Sequence, residues 1–199
     1  MVLCNETSDT GFSPDTKIYI LYFMDIELLV KLTSRAWSLS ILAQMDRGVP
    51  GRQATLISAI GAGRTAFRQS LDHLIDLELI ERNPGHGHPL RPEFRLTVKG
   101  AEIAGTANRI ETLVKKPDQQ TLLRRAWSLP VLSASLEPRY FGEIKSRLLP
   151  ITDRALSQSL KLLETQRWVL RDVETSSRPY RARYQAANTG AQIGRMFTP

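Results

Sequence analysis

The chain has 199 residues, of which 42% are hydrophobic and 24% are charged, the balance of a globular protein, and this excludes a disordered or fibrous one. Its formal net charge of +7 comes from Lys and Arg, so it persists at neutral pH and favours a polyanion as partner, unless it only keeps the protein soluble. This length is enough for two small domains.

Cys4 is the single cysteine of the sequence, so neither an intrachain disulfide nor a thiolate metal cluster is predicted, which fits a reducing cytoplasm. The most apolar run, Ile18 to Met24, is followed by Asp25 and Glu27 and is far shorter than the roughly 20 apolar residues of a membrane helix. The first residues also lack the basic-then-apolar order of a secretion signal. We therefore expect a cytoplasmic protein without a membrane span, and any role of Cys4 stays open.

The first predicted helix runs from Asp25 to about Met45, because apolar residues recur there at helical spacing. Within it Trp37 is expected to anchor the core, as Trp127 is in the second half of the chain, and a ligand pocket between the units is the secondary alternative. A turn cluster at Gly48-Val49-Pro50-Gly51 separates this helix from a short second one, which stops at Gly61-Ala62-Gly63.

A third helix follows directly. Its apolar residues Phe67, Leu71 and Leu74 stand at i, i+4 and i+7 and form the side that faces the core. The polar residues of the helix are therefore expected to face water. Alternating residues then predict a hairpin with a long Gly/Pro-rich tip between Leu79 and Thr97. The stretch from about Ala101 to Gln120 is expected to form a helix that closes this unit and is broken near Pro117.

The second half of the chain predicts the same order of elements. A helix from about Phe141 to Leu148 leads through the turn Leu149-Pro150-Ile151 into a helix from Asp153 to Gln166. A hairpin follows, with strands from Trp168 to Val173 and from Tyr180 to Ala186 around a polar tip.

An internal repeat relates the two halves. RAWSLSIL from Arg35 returns as RAWSLPVL from Arg125, 90 residues later, and FRQSLDHL from Phe67 is echoed by LSQSLKLL from Leu156, 89 residues later. The pair Gly100-Ala101 returns as Gly190-Ala191. Because order and spacing persist across the unit, we predict two copies of one fold.

Three helices and a hairpin, with a tight turn between the second and third helices, are the order of a winged helix-turn-helix. The predicted fold is therefore mainly α with small β-hairpin wings (α+β). It consists of two tandem winged helix-turn-helix domains, over residues 13–114 and 119–199.

The second copy resembles the HxlR-type family of winged-helix transcriptional regulators, which is close in architecture to the MarR-like regulators. The resemblance spans about Leu122 to Gly194 and is carried by three ordered blocks: Trp127 to Leu132, Arg139 to Ile144, and Leu149 to Gln158. It implies a DNA-binding transcriptional regulator, and no cofactor is predicted. The first copy is similar to this family more distantly, chiefly in the Trp37 block, Arg64 to Leu74, and Phe94 to Gly100.

Two features depart from that family. Glu78 and Arg167 stand where such proteins usually have Gly at the end of the recognition helix, so a different turn into the wing is expected. Several such proteins sense oxidants through a cysteine just before the first helix of the winged unit, whereas Cys4 lies far upstream of Trp37. Thiol sensing is therefore not carried over.

The residues expected to contact DNA lie at the start of the third helix of each copy and on the second wing. Side chains at this place reach base edges, and Arg and Gln can form paired hydrogen bonds to guanine and adenine. The predicted set is Arg64, Thr65, Arg68 and Gln69 in the first copy and Thr152, Arg154, Ser157, Gln158 and Lys161 in the second. On the second wing, the residues expected to grip phosphates or enter a minor groove are Arg178, Arg181 and Arg183. The alternative for each is an ordinary solvated surface.

His86 and His88 are two residues apart in the loop and are of a type that commonly binds metal ions. No further ligand lies nearby in the sequence, so a structured wing tip is favoured and no metal is predicted. The chain has no nucleophile elbow, phosphate loop, zinc-protease helix or set of kinase motifs. Neither enzymatic activity nor a catalytic residue is predicted.

Two arrangements on double-stranded DNA stay open. In one, two unequal winged units within one chain imitate a dimer on an asymmetric or pseudo-palindromic site. In the other, residues from Ile18 to Val30 pair two chains into a homodimer. The alternative function is a protein-interaction module, because Asp72, Asp76 and Glu78 weaken the first copy as a DNA reader. The sequence discloses neither the operator, nor the sign of regulation, nor a small-molecule effector.

Overall fold

The computed structural model of the chain describes residues 25–88, 91–174 and 180–197. Cys4, the run from Ile18 to Met24, the wing residue Arg178 and the side chains of His86 and His88 lie outside this description. The predictions that concern them therefore stay predictions.

Each half of the chain has a short leading helix, three further helices with a hairpin after the third, and a closing helix. The first half contains α1 (Ile26–Thr33), α2 (Ser38–Asp46), α3 (Gln53–Ile60), α4 (Arg64–Asp76), β1 (Ile80–His88), β2 (Arg91–Leu96) and α5 (Val98–Leu113). The second half contains α6 (Pro117–Leu123), α7 (Ser128–Ala134), β3 (Arg139–Tyr140), α8 (Phe141–Arg147), α9 (Asp153–Thr165), β4 (Val169–Glu174), β5 (Arg181–Ala186) and α10 (Asn188–Arg195). The protein is thus mainly helical with small antiparallel sheets, as predicted.

The single helix predicted from Asp25 to Met45 is wrong, because the chain forms α1 and α2 with a turn over residues 34–37. Two backbone hydrogen bonds close this turn, from Ser34 to Lys31 (3.1 Å) and from Ser38 to Arg35 (3.3 Å). Apolar residues of both helices pack into one core, so their spacing continues across the break and hides it.

The same turn recurs between α6 and α7, closed by hydrogen bonds from Arg124 to Thr121 (3.3 Å) and from Ser128 to Arg125 (3.2 Å). Trp37 and Trp127 lie at the ends of these two turns, where each is the N-cap residue of the following helix. Both are partly buried and pack against the buried core, so they lie at the edge of the core rather than at its centre.

The third helix of each half is confirmed, together with its core side. In α4 the side chains of Phe67, Leu71 and Leu74 are at most 1% exposed. In α9 the corresponding buried residues are Leu156, Leu160 and Leu163. A helix whose apolar residues recur at i, i+4 and i+7 buries one side and leaves the other to solvent.

Each hairpin is antiparallel, as predicted, and each gains contact with a segment before the helix-turn-helix. In the first half, β1 pairs with β2, and an isolated bridge joins Arg52 to Glu93. In the second half, β5 lies between β4 and the short strand β3, with Tyr140 opposite Arg183. The sequence did not predict β3.

Helix α1 joins the two halves, because it packs against α7. Its residues Leu29 and Leu32 are fully buried. The Thr33 hydroxyl donates to the backbone oxygens of Leu29 (2.9 Å) and Ala126 (2.7 Å), so the end of α1 is fixed to the turn before α7. Pro117, which was expected to break a helix, stands at the start of α6, where its missing N–H costs nothing.

Candidate nucleic-acid interface

The helix-turn-helix of the second half consists of α8, a turn over residues 148–152, and α9. Thr152 is the N-cap of α9, and its hydroxyl oxygen accepts from the backbone N–H of Ala155 (3.2 Å). An ion pair between Lys145 of α8 and Asp153 of α9 (2.7 Å) connects the two helices. These contacts hold the start of α9 in position relative to α8.

The exposed side of α9 carries four of the predicted DNA contacts. They stand at positions i, i+3, i+4 and i+7 and therefore share one face of the helix: Arg154, Ser157, Gln158 and Lys161. All four are exposed, and the opposite side of the helix is buried in the core. This face can offer a guanidinium, an amide, a hydroxyl and an ammonium group to a ligand without disturbing the core.

Helix α4 presents a comparable but more neutral face. Arg64, Thr65, Arg68 and Gln69 are all exposed. Arg68, however, forms an ion pair with Asp72 one turn later, at 3.7 Å. Asp72 stands at the position that corresponds to Lys161 in the second half, so α4 replaces a cation by a carboxylate on this face.

Two arginines of the second wing, Arg181 and Arg183, belong to a cluster that the sequence did not reveal. Arg183 donates through Nε to the Tyr140 hydroxyl (3.1 Å) and pairs through Nη2 with Glu174 (3.1 Å), while Tyr140 donates to the same carboxylate (2.7 Å). The contacts with Tyr140 first, and then with Glu174, hold the pKa of Arg183 above its usual value. Arg181 lies over the Tyr140 ring, with its guanidinium carbon 5.9 Å from the ring centroid.

This cluster changes how the two wing arginines can act. Part of the charge of Arg183 is already balanced within the protein, so less of it is available to a phosphate. Tyr140 positions both arginines, although it lies far from them in the sequence. The alternation of β5 predicted that Arg181 and Arg183 share a face, but no local pattern pointed to Tyr140.

Helices α4 and α9 end in the same kind of turn, each leading into the hairpin that follows it. Glu78 and Arg167 adopt the left-handed conformation, with φ of 58° and 57°. In each case the next residue donates back five residues, from Leu79 to Leu74 (3.0 Å) and from Trp168 to Leu163 (2.9 Å). This is the Schellman motif that glycine usually provides. The expected difference in this turn is therefore wrong: the conformation is retained, and residues with a Cβ adopt it.

The positive charge of the chain is concentrated in its second half. Residues 25–114 contain 11 Lys and Arg against 10 Asp and Glu, whereas residues 115–199 contain 15 against 7. Long-range attraction of a polyanion depends on such an excess. The second half is therefore expected to attract a nucleic acid much more strongly than the first half.

Other kinds of site find no support in the part of the chain that the structure describes. Within these residues, no group of three or more His, Cys, Asp or Glu is arranged to hold a metal ion. Across the same ranges, no helix is long and apolar enough to cross a membrane. His73 instead bonds within the fold, with Nε2 2.7 Å from the Lys31 backbone oxygen and 3.2 Å from the Ser34 hydroxyl.

Residues 122–198 match the family model described as the HxlR-like helix-turn-helix. This match supports the resemblance found in the second half of the sequence. It does not extend to the first half, so the tandem duplication stays a prediction. No curated protein and no solved structure gives a significant match to the chain.

Proposed function

We propose that this chain, which carries an HxlR-like helix-turn-helix over residues 122–198, is a DNA-binding transcriptional regulator without enzymatic activity. The observation that carries the proposal is the exposed face of α9, which follows a capped helix-turn-helix and bears Arg154, Ser157, Gln158 and Lys161. A helix of this kind enters the major groove, where Arg and Gln discriminate between base pairs.

The second half is proposed as the principal DNA reader. Its excess of eight positive charges favours contact with phosphates, and Arg181 and Lys161 stand on exposed surface. Arg178 of the same wing is included from its sequence position alone. In the first half, Arg64, Thr65, Arg68 and Gln69 are proposed as weaker contacts, since this half is almost neutral and Arg68 is paired with Asp72.

We further propose that the two halves act as an intrachain pseudo-dimer of two winged units. The repeated order of elements supports this arrangement, as do the contacts of α1 with α7 and of Thr33 with Ala126. One chain would then span a DNA site that two separate chains would otherwise share. The competing arrangement is a homodimer formed through residues 18–30.

The second candidate function is a protein-interaction module. It is favoured by the near-neutral first half and the internal ion pair on α4, because a helix that binds DNA through this face needs its cations available.

Titration of genomic DNA fragments by gel shift at two salt concentrations separates these functions. A protein that contacts six to ten phosphates should lose about 10³–10⁵-fold in affinity between roughly 50 and 200 mM salt. We expect a steep loss of this kind. Absence of a shift at low salt, or a shift that does not respond to salt, would favour the protein-interaction module.

A further inference from the structure

A groove lies beside α9, where this helix passes the turn between α6 and α7. Its volume is about 470 Å³, and its lining includes Trp127, Ala155 and Leu162 as apolar groups and Arg125, Gln158 and Lys161 as polar ones. Pockets that hold small molecules commonly have about 300–1,000 Å³. The groove therefore has room for a small organic ligand.

The chemistry of the lining selects an anion with an apolar body. Arg125 and Lys161 are exposed cations, and no Asp or Glu is found among the lining residues that the structure describes. Trp127 is partly buried and Leu162 is 36% exposed, so a flat apolar group can cover both and remove their surface from water. A carboxylate on that group would then be stabilised by the two cations.

The first half of the chain offers an internal comparison. Six of the eight lining residues recur there unchanged at offsets of 89 or 90 residues: Arg35, Ala36, Trp37, Ala66, Gln69 and Ser70. The two that differ are Asp72 in place of Lys161 and His73 in place of Leu162.

Both differences act against an anionic ligand in the first half. Asp72 replaces a cation by a carboxylate, and the imidazole of His73 bonds to the Lys31 backbone oxygen and the Ser34 hydroxyl. A polar side chain tied to α1 thus occupies the position where the second half has an exposed leucine. The two halves therefore differ at the residues that decide both the charge and the apolar floor of the groove.

We propose that the groove beside α9 is an effector site for a small organic anion with a flat apolar body. Gln158 and Lys161 line the groove and also belong to the face proposed to read DNA. Ligand and DNA use the same side chains and exclude each other, so the ligand releases the protein from its site. This regulatory role rests on the proposed function, whereas the ligand site itself does not.

The ligand site is tested without DNA, by calorimetric titration of the full chain with 1-naphthoate and with its neutral counterpart 1-naphthamide. We expect naphthoate to bind with a stoichiometry of one. Naphthamide should bind at least about tenfold more weakly, because the amide lacks the charge that Arg125 and Lys161 attract. Equal binding of the two compounds, or no binding of naphthoate, overturns the site.

The variants K161D and L162H introduce the first-half residues at exposed positions of α9. Each should weaken naphthoate binding by about tenfold or more, through charge reversal and loss of the apolar floor respectively. The control D72K makes the opposite exchange on α4 and should leave naphthoate affinity unchanged. The assignment is contradicted if both α9 variants keep the wild-type affinity for naphthoate while circular dichroism shows intact helicity. It is also contradicted if D72K weakens naphthoate binding as much as K161D does.

A gel shift with saturating naphthoate then tests the regulatory role. We expect apparent DNA affinity to fall by about tenfold or more, since ligand and DNA compete for α9. Unchanged DNA affinity in the presence of bound naphthoate overturns the role in regulation. Naphthoate binding by a protein that shifts no DNA contradicts the proposed function and supports the groove as a ligand site.

Discussion

Individual side chains on α9 can be compared with their counterparts on α4. Gln158 and Gln69 are the same residue type at corresponding exposed positions. We expect R154A and Q158A each to cost about 1–3 kcal/mol on the preferred DNA and to blur the preference at one or two base positions, because their paired hydrogen bonds to bases are lost. Titrations with preferred and scrambled DNA measure this, and non-specific affinity should change less.

Q69A is the matched control, since it removes the same side chain from the half with almost no excess charge. Its effect should be smaller than that of Q158A. If R154A and Q158A both retain wild-type affinity and footprint, α9 does not read the DNA.

The left-handed residues Glu78 and Arg167 give a prediction about stability. A residue with a Cβ is strained at their φ of 58° and 57°, whereas glycine is not. E78G and R167G should each raise the free energy of unfolding by up to about 1 kcal/mol, because the relief of strain exceeds the extra entropy of glycine in the unfolded chain. Urea unfolding measures the change. E78A and R167A keep the Cβ and should show no such gain, and a glycine variant less stable than its alanine control would contradict the account.

At the scale of the structural elements, replacing the two glycines of α5 by alanine is expected to have opposite effects on stability. A Cβ on Gly100 would lie 1.8 Å from the Leu79 backbone oxygen, whereas a Cβ on Gly105 would meet nothing closer than Asp46 Oδ1 at 3.9 Å. G100A should destabilise the protein by at least about 2–3 kcal/mol, because backbone must move to admit the methyl group. G105A should stabilise it by about 0.5–1 kcal/mol through helix propensity. Thermal unfolding separates the two, and equal effects would contradict this account of the packing.

The same close approach explains why the glycine recurs in the second half. A Cβ on Gly190 would lie 2.2 Å from the Trp168 backbone oxygen, which corresponds in position to that of Leu79. Helices α5 and α10 thus cross the chain just after α4 and α9 respectively, at a distance that admits only a hydrogen on Cα.

In the second wing, the cluster around Tyr140 predicts unequal roles for the two arginines. R181A should reduce the slope of log affinity against log salt by about one, as expected for the loss of one phosphate contact. R183A should reduce it less, because Glu174 already balances part of its charge. Salt titrations of both variants with the same DNA fragment test this, and a larger loss of slope in R183A than in R181A would contradict the internal pairing.

For the whole molecule, the pseudo-dimer predicts a monomer that covers two half-sites. If α4 and α9 face one side of the duplex, they enter successive major grooves about 34–36 Å apart. Solution mass by light scattering and a nuclease footprint together test the arrangement. We expect a monomeric mass and protection of two adjacent half-sites.

Combined replacement of Arg64, Arg68 and Gln69 by Ala removes the proposed contacts of the first half. In a pseudo-dimer this variant loses one half of the footprint. A stable dimer whose footprint survives these replacements would instead indicate a homodimer in which the first unit of each chain is a scaffold.

The sequence by itself determined the elements whose signals are local. The third helices, the turns before them and the two hairpins follow from apolar spacing at i, i+4 and i+7, from breakers such as Gly61-Ala62-Gly63, and from alternation. The exposure of Arg154, Ser157, Gln158 and Lys161 also follows, because burial of one side of a helix leaves the other to solvent. The resemblance in the second half is carried by ordered blocks of residues and needs no structure.

Only the tertiary structure decided the features that depend on residues distant in the chain. The break between α1 and α2 does not disturb the apolar spacing, and the contact of Thr33 with Ala126 joins residues 93 positions apart. Tyr140 reaches Glu174 and Arg183 because β3 pairs with β5. The left-handed turns at Glu78 and Arg167 contradict the local preference for glycine, and they persist because the hydrogen bonds and buried contacts of Leu79 and Trp168 outweigh the strain of a single residue.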